Sequence, residues 1–503
     1  MISALDDTKP TTFYSGEWDI AKDMTFSDAI AGKFIIFASG DAPNGMRVVD
    51  LSARWKIALN DTIDVFAVHT QDARIGWLLG DPIDLSTGEL VNAAITLGTS
   101  QGDQSPWEEV CRRFAGSWLF IAIEGANLDL RPDASATIGT VYEPQTKRIA
   151  AYTYLLIQED YFSRLNEEGR TANRVDQDGW FTGGMTAHSG ISRLLPNHSL
   201  STQDFVQRRI PMRMPRYGSD ADAVLTDLLG ELRVVVNAMK EARPTHIALT
   251  GGNETRVLLA AMRKDAKKHS FINLQFDGAP LDRFLSNQLT EFCDLKLTIL
   301  DAIEADPESK KEWLLYAGHA MSGANKDYYP STQSLAGGVL IGGIGGEVGR
   351  GFLWNDGLSA DETISIQSIV RRLKLPPTTE NLEAVEHWAG SLPDGLDAFQ
   401  ILDLAYLELR LGPWGFAQPR MRVVPRSIHP LLSYNQFQRM WSLAPEMRTS
   451  NRMMIRLIEL SWPELLQIPI NRYGNWRDQW YPIWQAIQRP DKALRKIKQL
   501  LGR

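Results

Sequence analysis

The stretch "HIALTGGNETRVLLAAM", residues 246–262, decides the fold of this chain. An apolar run ends in the Thr-Gly-Gly of residues 250–252, and an amphipathic run follows the Asn-Glu-Thr-Arg of residues 253–256. That order predicts a strand, a tight glycine turn and a helix. Glycines let backbone N–H groups approach an oxyanion closely, and a helix N-terminus adds partial positive charge. Such a turn either binds a phosphate or only connects the two elements, and this stretch alone leaves both interpretations open.

The flanking sequence repeats the alternation of strand and helix, which predicts a doubly wound parallel sheet in the C-terminal half of an α/β protein. From about residue 360 onward the pattern is mostly helical. The predicted helices are 221–241, one opening at 257–262, and 281–292; the predicted strands are 246–249, 271–276, 295–300 and 337–343.

A second glycine loop follows the last of these strands, in "VLIGGIGGEVGRGFLW", residues 339–354. Ligands of an open α/β sheet bind outside the carboxyl ends of its strands. Two glycine loops at strand ends of one parallel sheet can therefore face each other across a crevice. The second loop makes a nucleotide site the favoured interpretation of the first.

The N-terminal half is rich in short β-like runs, including "KFIIFAS" (33–39), "VFAVHT" (65–70), "SWLFIAIEG" (117–125) and "RIAAYTYLLI" (148–157), with one helical stretch near 105–114. These runs predict a separate sheet-rich domain. Residues 208–222 contain two prolines and a glycine, which predict a linker. We therefore predict domains at 1–207 and 223–503.

Bulk properties exclude several classes of protein. The chain has 503 residues, 44% of them apolar and 23% charged, which is typical of a globular protein with sizeable cores. A net charge of −8 disfavours nucleic acid as a partner. Two cysteines do not make a disulfide framework, and scattered histidines argue against zinc. We expect no signal peptide and no membrane-spanning helix, and hence a cytoplasmic location.

The order of the motifs resembles the asparagine-synthetase-like family. Its pattern of strand, Ser/Thr-Gly-Gly-x-Asp-Ser and helix, then strand and Ser-Gly-x-Gly-x-Asp-Glu, is similar to the two glycine loops described above. Further similar segments are "FAGSWLFIAIEG" (114–125), "GISRLLPNHSL" (190–200), Asp282 and "PEMRTSNRMMIRLIELSWPELLQIPINRYG" (445–474). The similarity covers the chain from about 110 to 475.

The resemblance implies an N-terminal glutaminase-like αββα sandwich followed by a PP-loop ATP pyrophosphatase domain. Members of the family activate a carboxylate with ATP and join it to an amine. Ile2 stands where a glutaminase of this family needs its nucleophilic cysteine, and Cys111 lies too far along the chain to replace it. The same loss occurs in the resembling β-lactam synthetases and lasso-peptide cyclases, which use an amine of the substrate instead of ammonia.

The resemblance also implies a set of site residues, with ATP and Mg²⁺ as cofactors. Glu254 and Glu347 would bind Mg²⁺, although Glu254 stands for an Asp of the family, and Gly346 for another. Arg472 is the obvious late cation, and Tyr473 aligns with the position of the family's catalytic Lys. The ATP and pyrophosphate ligands would be Thr250, Gly251, Gly252, Asn253, Thr255, Arg256, Gly343, Gly345, Gly346 and Arg350.

These features predict an ATP-dependent, amide-forming ligase without glutaminase activity, acting in biosynthesis on small-molecule or peptide carboxylates and amines. Two alternatives stay open. In the first, the chain is a degenerate member of the family that binds or scaffolds a partner protein. In the second, it modifies a sugar amine in surface-polysaccharide synthesis. Residues 396–421 form either an aromatic acceptor pocket or helical core. Residues 489–503 predict a basic amphipathic helix, which either packs at its apolar face or touches an anionic partner or a membrane surface.

Overall fold

The computed structural model describes residues 32–481 except 41, 44, 72, 99–104, 158–159, 178, 276–279, 322–323, 356 and 418–419. The N-terminal residues 1–3 and the predicted basic helix 489–503 lie outside the described residues. Among the described residues, no helix is both long enough and apolar enough to cross a membrane.

The N-terminal half forms two sheets that are almost entirely antiparallel. Their strands are β1 Phe34–Phe37, β2 Arg47–Asp50, β3 Lys56–Leu59, β4 Val65–His69, β5 Arg74–Asp84, β6 Glu89–Leu90, β7 Ile95–Thr96, β8 Phe114–Glu124, β9 Asn127–Pro132, β10 Val141–Glu143, β11 Arg148–Ala150, β12 Ser192–Arg193, β13 His198–Ser201 and β14 Gln207–Arg209. One sheet has the order β12-β10-β11-β1-β3-β2, and the other has β14-β13-β9-β8-β5-β4-β7 with β6 on β5. Only the pairing of β4 with β7 is parallel among these described strands.

The two sheets pack face to face because their strands alternate inward and outward side chains. In β1, Phe34 and Ile36 lie between the sheets, whereas Ile35 and Phe37 face the large core shared with the C-terminal half. On the far side of β8, Trp118 joins a smaller core with the helix Pro106–Arg113. The result is a sandwich with helices on its outer faces, as predicted.

The C-terminal half is built on a five-stranded parallel sheet. Its strands are β15 Thr245–Ala248, β16 Ser270–Gln275, β17 Leu297–Asp301, β18 Val339–Ile341 and β19 Arg426–Ile428. They lie in the order β17-β16-β15-β18-β19, and every pairing is parallel. The strand order therefore reverses between β15 and β18, which opens a crevice at their carboxyl ends.

Fifteen α-helices lie among the described residues, beside several short 3₁₀ helices: α1 Pro106–Arg113, α2 Tyr154–Ile157, α3 Glu167–Ala172, α4 Ala221–Ala242, α5 Asn253–Ala261, α6 Pro280–Phe292, α7 Pro307–Tyr316, α8 Ala324–Tyr328, α9 Ile366–Arg372, α10 Thr379–Ala389, α11 Ala398–Ala405, α12 Gly412–Phe416, α13 Tyr434–Ser442, α14 Pro445–Arg448 and α15 Arg452–Ser461. A π-helical stretch, Tyr406–Leu411, joins α11 to α12. Two of the predictions need correction here. The run "RIAAYTYLLI" is not one strand, because β11 ends at Ala150 and α2 begins at Tyr154, and the short strand β19 lies in a region predicted to be helical.

The chain between the two halves has no strand or helix from residue 210 to residue 220. The first two residues of the predicted linker, Arg208 and Arg209, instead belong to β14, which pairs with β13. Asp220 caps the N-terminus of α4, since its carboxylate accepts from the backbone N–H groups of Asp222 and Ala223. The division into domains itself stays a prediction.

Candidate nucleotide site at the crevice of the parallel sheet

Both predicted glycine loops lie at the crevice between β15 and β18. The first loop leaves β15 and enters α5 at Asn253, and the second leaves β18 and ends in a short 3₁₀ turn, Val348–Arg350. Because β15 and β18 are paired neighbours, the two loops lie side by side. The sequence thus predicted correctly which two loops meet at this edge of the sheet.

The first loop is held in shape by its own side chains. The backbone N–H of Thr250 donates to Thr255 Oγ1 at 3.0 Å, and the hydroxyl oxygens of these two residues lie 2.9 Å apart. The N–H of Gly252 donates to Thr250 Oγ1 at 3.2 Å. The N–H of Gly251 donates to Asp282 Oδ1 at 3.0 Å, across to α6. Three amides of the loop therefore already have acceptors within the chain.

The first turn of α5 is the part of the loop that stays open to an anion. Gly252 is the N-cap residue, and no side chain caps the turn. The N–H groups of such a turn and the helix dipole together attract phosphate. Asn253 is buried, and its side-chain oxygen has no hydrogen-bond partner among the described residues. Since the Gly252 amide already donates to Thr250, the backbone N–H groups that follow it in the turn carry the anion-binding potential, whereas the Asn253 side-chain oxygen is an acceptor and does not attract an anion.

Glycine is required in the second loop because Glu254 packs directly against it. A Cβ atom on Gly343 would lie 2.6 Å from Glu254 Cβ, and one on Gly346 would lie 2.7 Å from Glu254 Cγ. Gly345 has φ +105°, which side chains rarely adopt. Glu254 thus crosses from the first loop onto the second.

Arg350 joins the two glutamates that the sequence predicted as metal ligands. Its Nε lies 3.1 Å from Glu254 Oε1, and its Nη2 lies 3.7 Å from Glu347 Oε1. Glu347 Oε2 also accepts from the N–H of Gly345 at 3.0 Å. Burial raises the pKa of Glu347, and the neighbouring charge of Glu254 adds to this effect, while Arg350 opposes it. One guanidinium therefore lies between two crowded carboxylates.

This carboxylate pair fits Mg²⁺ in the kind and number of its oxygens. Mg²⁺ is commonly held by one or two carboxylates together with water and substrate phosphates. Among the described residues no group of three or more His, Cys, Asp or Glu side chains gathers as a metal site. Glu254 and Glu347 would therefore need phosphate oxygens to complete the shell, and Arg350 competes for the same two carboxylates.

Arg256 has a structural role rather than the predicted pyrophosphate-binding one. Its side chain is fully buried, and it donates to the backbone carbonyls of Leu465, Ile468 and Pro469. Burial lowers the pKa of Arg256 to about 10. We therefore remove Arg256 from the predicted ligands, because its donors are used to hold the segment that follows α15.

That C-terminal segment lies over the first loop. The backbone N–H of Asn471 donates to the carbonyl of Gly251 at 3.1 Å, and the neighbouring Arg472 is exposed. The ring of Tyr473 packs beside Phe284 on α6, with their centroids 5.1 Å apart. Arg472 and Tyr473 therefore lie beside the predicted phosphate loop, and their catalytic roles stay predictions.

Two contributors to the site were given no role in the sequence predictions. Asp282 was noted only as a matching position, yet it anchors Gly251. The imidazole of His429, directly after β19, lies against Gly342, where a Cβ atom would be 2.7 Å from its ring. Burial lowers the pKa of His429 to about 4. The sequence feature that could have indicated His429 is the strand before it, β19, since residues at the ends of strands line the crevice. That strand has three residues, which are too few to be recognised from the sequence.

Comparison with known proteins adds little to this geometry. No protein-family model matches the chain, and no curated protein matches it. Among solved structures it is similar to the glutamine phosphoribosylpyrophosphate (PRPP) amidotransferase from B. subtilis complexed with ADP and GMP, at 9% identity. The match covers 74% of this chain and 90% of that chain, with a TM-score of 0.20. A score this low carries no argument, so the resemblance to asparagine synthetases rests on the motifs alone.

Proposed function

We propose that the chain is an ATP-dependent, AMP-forming amide ligase. The observation that carries the proposal is the position of two glycine loops at the switch point of a parallel sheet, with Glu254 and Glu347 both paired with Arg350 there. This is where open α/β sheets bind nucleotides. The uncapped first turn of α5 would take the phosphates, as helix N-termini commonly do.

The residues around the crevice suit charge neutralisation. Arg350 and the exposed Arg472 would bind the pyrophosphate oxygens, while Glu254 and Glu347 would hold Mg²⁺ once phosphate displaces Arg350 from them. Bound Mg²⁺ supplies neutralisation of the charge that develops on the leaving pyrophosphate. Asp282 positions Gly251, and Asn471 covers it, so both act by holding the loop.

The proposed reaction has two steps. A carboxylate oxygen of the substrate forms a bond to the α-phosphorus of ATP, and the bond to pyrophosphate breaks. A substrate amine then attacks the acyl carbon, AMP leaves and the amine loses a proton. Ile2 in place of a nucleophilic cysteine argues that the amine belongs to the substrate and does not come from glutamine.

The first test measures ATP binding and exchange of labelled pyrophosphate into ATP. The full chain is incubated with ATP, Mg²⁺ and pools of small carboxylic acids and short peptides. Amine pools that include amino sugars are then added, and AMP is followed. We expect acid-dependent exchange and amine-dependent AMP release. Absence of ATP binding by calorimetry at millimolar Mg²⁺ would rule the ligase out.

Matched glutamine variants assign the activity to the crevice. Glu254→Gln and Glu347→Gln keep the size of each side chain and remove its charge, so we expect loss of exchange with the fold retained. Glu362→Gln is the control, since Glu362 pairs with Arg372 outside the two loops. Exchange that survives both crevice variants would place the chemistry elsewhere.

A second candidate is a degenerate protein that uses the crevice only to organise its own structure. It is favoured by the amides of Thr250, Gly251 and Gly252, which already have intrachain acceptors, and by the ion pair of Arg350 with Glu254. This candidate predicts no ATP binding with or without Mg²⁺. The calorimetric titration therefore separates the two functions before any substrate is known.

A further inference from the structure

A pocket separate from the crevice lies at the amino ends of the strands of the parallel sheet, where the sheet meets the N-terminal sandwich. Its volume is about 230 Å³. Residues that precede or begin β15, β18 and β19 line it together with a loop of the sandwich: Thr62, Arg243, Gly338, Arg420, Arg422 and Arg426. A strand rises about 3.3 Å per residue, so the length of β15 puts this pocket roughly 13 Å from the crevice along the strand.

Three guanidinium groups converge there on one carboxylate. Arg420 Nη1 donates to Asp81 Oδ2 at 2.9 Å, Arg426 donates to Asp81 Oδ1, and Arg243 Nη2 lies 3.7 Å from Oδ1. Burial alone would raise the pKa of Asp81, but the charges of Arg420, Arg426 and Arg243 lower it below its ordinary value. One negative charge therefore faces three positive charges.

The neighbouring acidic groups do not restore the balance. Asp61 pairs with Arg422 at 2.8 Å, and Asp64 pairs with Arg47 at 3.1 Å. Asp133, whose charge also acts on Arg420, is buried, and its carboxylate accepts from the amides of Ser135 and Thr137. These acids therefore leave positive charge in excess at the pocket.

A buried lysine adds to the positive potential. Lys33 lies over the rings of Tyr152 and Tyr316, at 4.9 and 5.0 Å from their centroids. Burial lowers the pKa of Lys33 to about 7, and the charge of Arg420 contributes to the shift. Burial is the larger cause of this shift and the charge of Arg420 the smaller one, and an added anion would offset the second.

We propose that this pocket, lined by Arg243, Arg420, Arg422 and Arg426, binds a small phosphate-bearing anion. Guanidinium groups bind phosphate through paired, charge-assisted hydrogen bonds. Arg422 pairs with Asp61 and Arg426 also donates to the carbonyl of Thr62, so Arg420 and Arg243 are the arginines at Asp81 best placed to donate to an added anion. The pocket is smaller than the roughly 300–1,000 Å³ of sites for drug-sized ligands, which suits a phosphate with a small organic part. It joins the two halves of the chain, so an occupant would hold them together.

The test is calorimetric titration of the full chain with inorganic phosphate at constant ionic strength, without ATP or Mg²⁺. We expect saturable binding that weakens at least tenfold in Arg420→Gln and in Arg243→Gln. Arg420→Lys keeps the charge and loses the planar fork, and it should bind with intermediate affinity. The control is Arg208→Gln, an exposed arginine that pairs with Asp204 four residues away, and it should bind like the wild type.

Phosphate could instead enter the crevice, so Arg350→Gln is titrated in parallel. Binding that persists in Arg350→Gln and is lost in Arg420→Gln supports the pocket. The reverse pattern, or no binding by the wild type at millimolar phosphate, overturns it. This result is independent of the proposed ligase, because it requires neither ATP binding nor turnover.

A further variant at the pocket keeps the test valid if the arginine variants fail to fold. Asp81→Asn keeps the shape of the side chain and removes the single negative charge from the cluster. We expect its unfolding temperature to fall and phosphate to raise it by more than in the wild type. An equal response of both proteins to phosphate would contradict the proposal.

Discussion

At the crevice, the electrostatic environment of each glutamate is set by the charged side chains around it. Burial raises the pKa of Glu347, the charge of Glu254 adds to this rise, and Arg350, which pairs with both carboxylates, opposes it. A guanidinium cannot lose its proton in the physiological range. Arg350 therefore pairs with the same two carboxylates that the sequence predicts as metal ligands.

Replacing Arg350 should make the two carboxylates available to Mg²⁺. In Arg350→Gln, Glu254 and Glu347 lose their resident cation, so millimolar MgCl₂ should raise the unfolding temperature more than in the wild type. The measurement is thermal unfolding with and without MgCl₂. Arg350→Lys keeps a cation there and serves as the control. Equal responses in Arg350→Gln and the wild type would show that Arg350 does not compete with the metal.

His188 should make stability sensitive to acid. It is buried against Tyr161, and burial lowers its pKa from 6.5 to about 3, with Arg164 and Arg170 adding to the shift. Between these pH values the unfolded chain binds the proton that the folded chain does not, so the free energy of unfolding falls as pH falls. The slope is about 1.4 kcal/mol per pH unit for one such group.

His188→Phe keeps a ring beside Tyr161 and removes the titrating group. Chemical unfolding of the variant at several pH values from 6 to 4 should give a slope shallower by about 1.4 kcal/mol per unit. Circular dichroism at neutral pH checks that the variant is folded. An unchanged slope would mean that His188 binds its proton in the folded protein as readily as in the unfolded chain.

At the scale of elements, the crevice depends on close contact between two backbone segments. Gly343 and Gly346 leave room for the side chain of Glu254, and Gly345 takes a left-handed conformation that turns the chain. The first loop, in contrast, is shaped by hydroxyl groups and by Asp282 from α6. Hydrogen bonds with side chains therefore fix the first loop, and the absence of side chains fixes the second. Substitution of a glycine by a larger residue should disturb the second loop more than the first.

Gly343→Ala should separate the two loops. The added methyl group would lie 2.6 Å from Glu254 Cβ and 3.1 Å from the backbone carbon of Glu254, so α5 must shift. Such overpacking typically costs about 1–3 kcal/mol of stability. Chemical unfolding measures the loss, and ATP binding, where present in the wild type, should weaken with it.

Gly230→Ala is the matched control for Gly343→Ala. Gly230 lies inside α4, and a Cβ atom there would meet nothing within 4 Å. Alanine should therefore stabilise the helix by about 0.5–1 kcal/mol. Destabilisation of both variants to the same degree would contradict the contact argument at Gly343.

The elements of the parallel sheet could largely be predicted from local pattern. Apolar runs between amphipathic segments placed β15 to β18 and helices α4 to α6 close to their observed bounds. β19 was not predicted because three residues give no detectable period. It is a strand because β18 offers it a partner, with Val339 opposite Arg426.

At the scale of the whole molecule, a buried carboxylate ties the two halves together. Glu408, in the π-helical stretch, accepts from both terminal nitrogens of Arg209 at 2.7 Å and from Asn197 Nδ2 at 2.8 Å. Trp388 Nε1 donates to the same carboxylate. The π-helical geometry thus serves an internal contact, and most of the described residues within 396–421 are buried, which favours the helical-core interpretation of this segment.

Glu408→Gln should destabilise the whole chain. It leaves the buried guanidinium of Arg209 without a counter-charge, and breaking a buried ion pair costs about 3–5 kcal/mol. The measurement is the free energy of chemical unfolding. Glu459→Gln is the control, because Glu459 forms an exposed pair with Arg456, and such pairs contribute less than about 1 kcal/mol. Similar losses in both variants would show that Glu408 does not stabilise the junction.

The sequence by itself determined the fold class and the position of the two glycine loops. The parallel C-terminal sheet and the two loops follow from hydrophobic periodicity and glycine spacing, which are properties of short stretches of chain, whereas the N-terminal αββα sandwich was implied by the resemblance. Tertiary structure alone decided which charges meet. Arg256, predicted to bind phosphate, turns to the carbonyls of a distant segment, while Arg350 joins Glu254 and Glu347. The physical reason is that ion pairs and buried hydrogen bonds depend on distances between elements remote in the chain, and no local pattern encodes those distances.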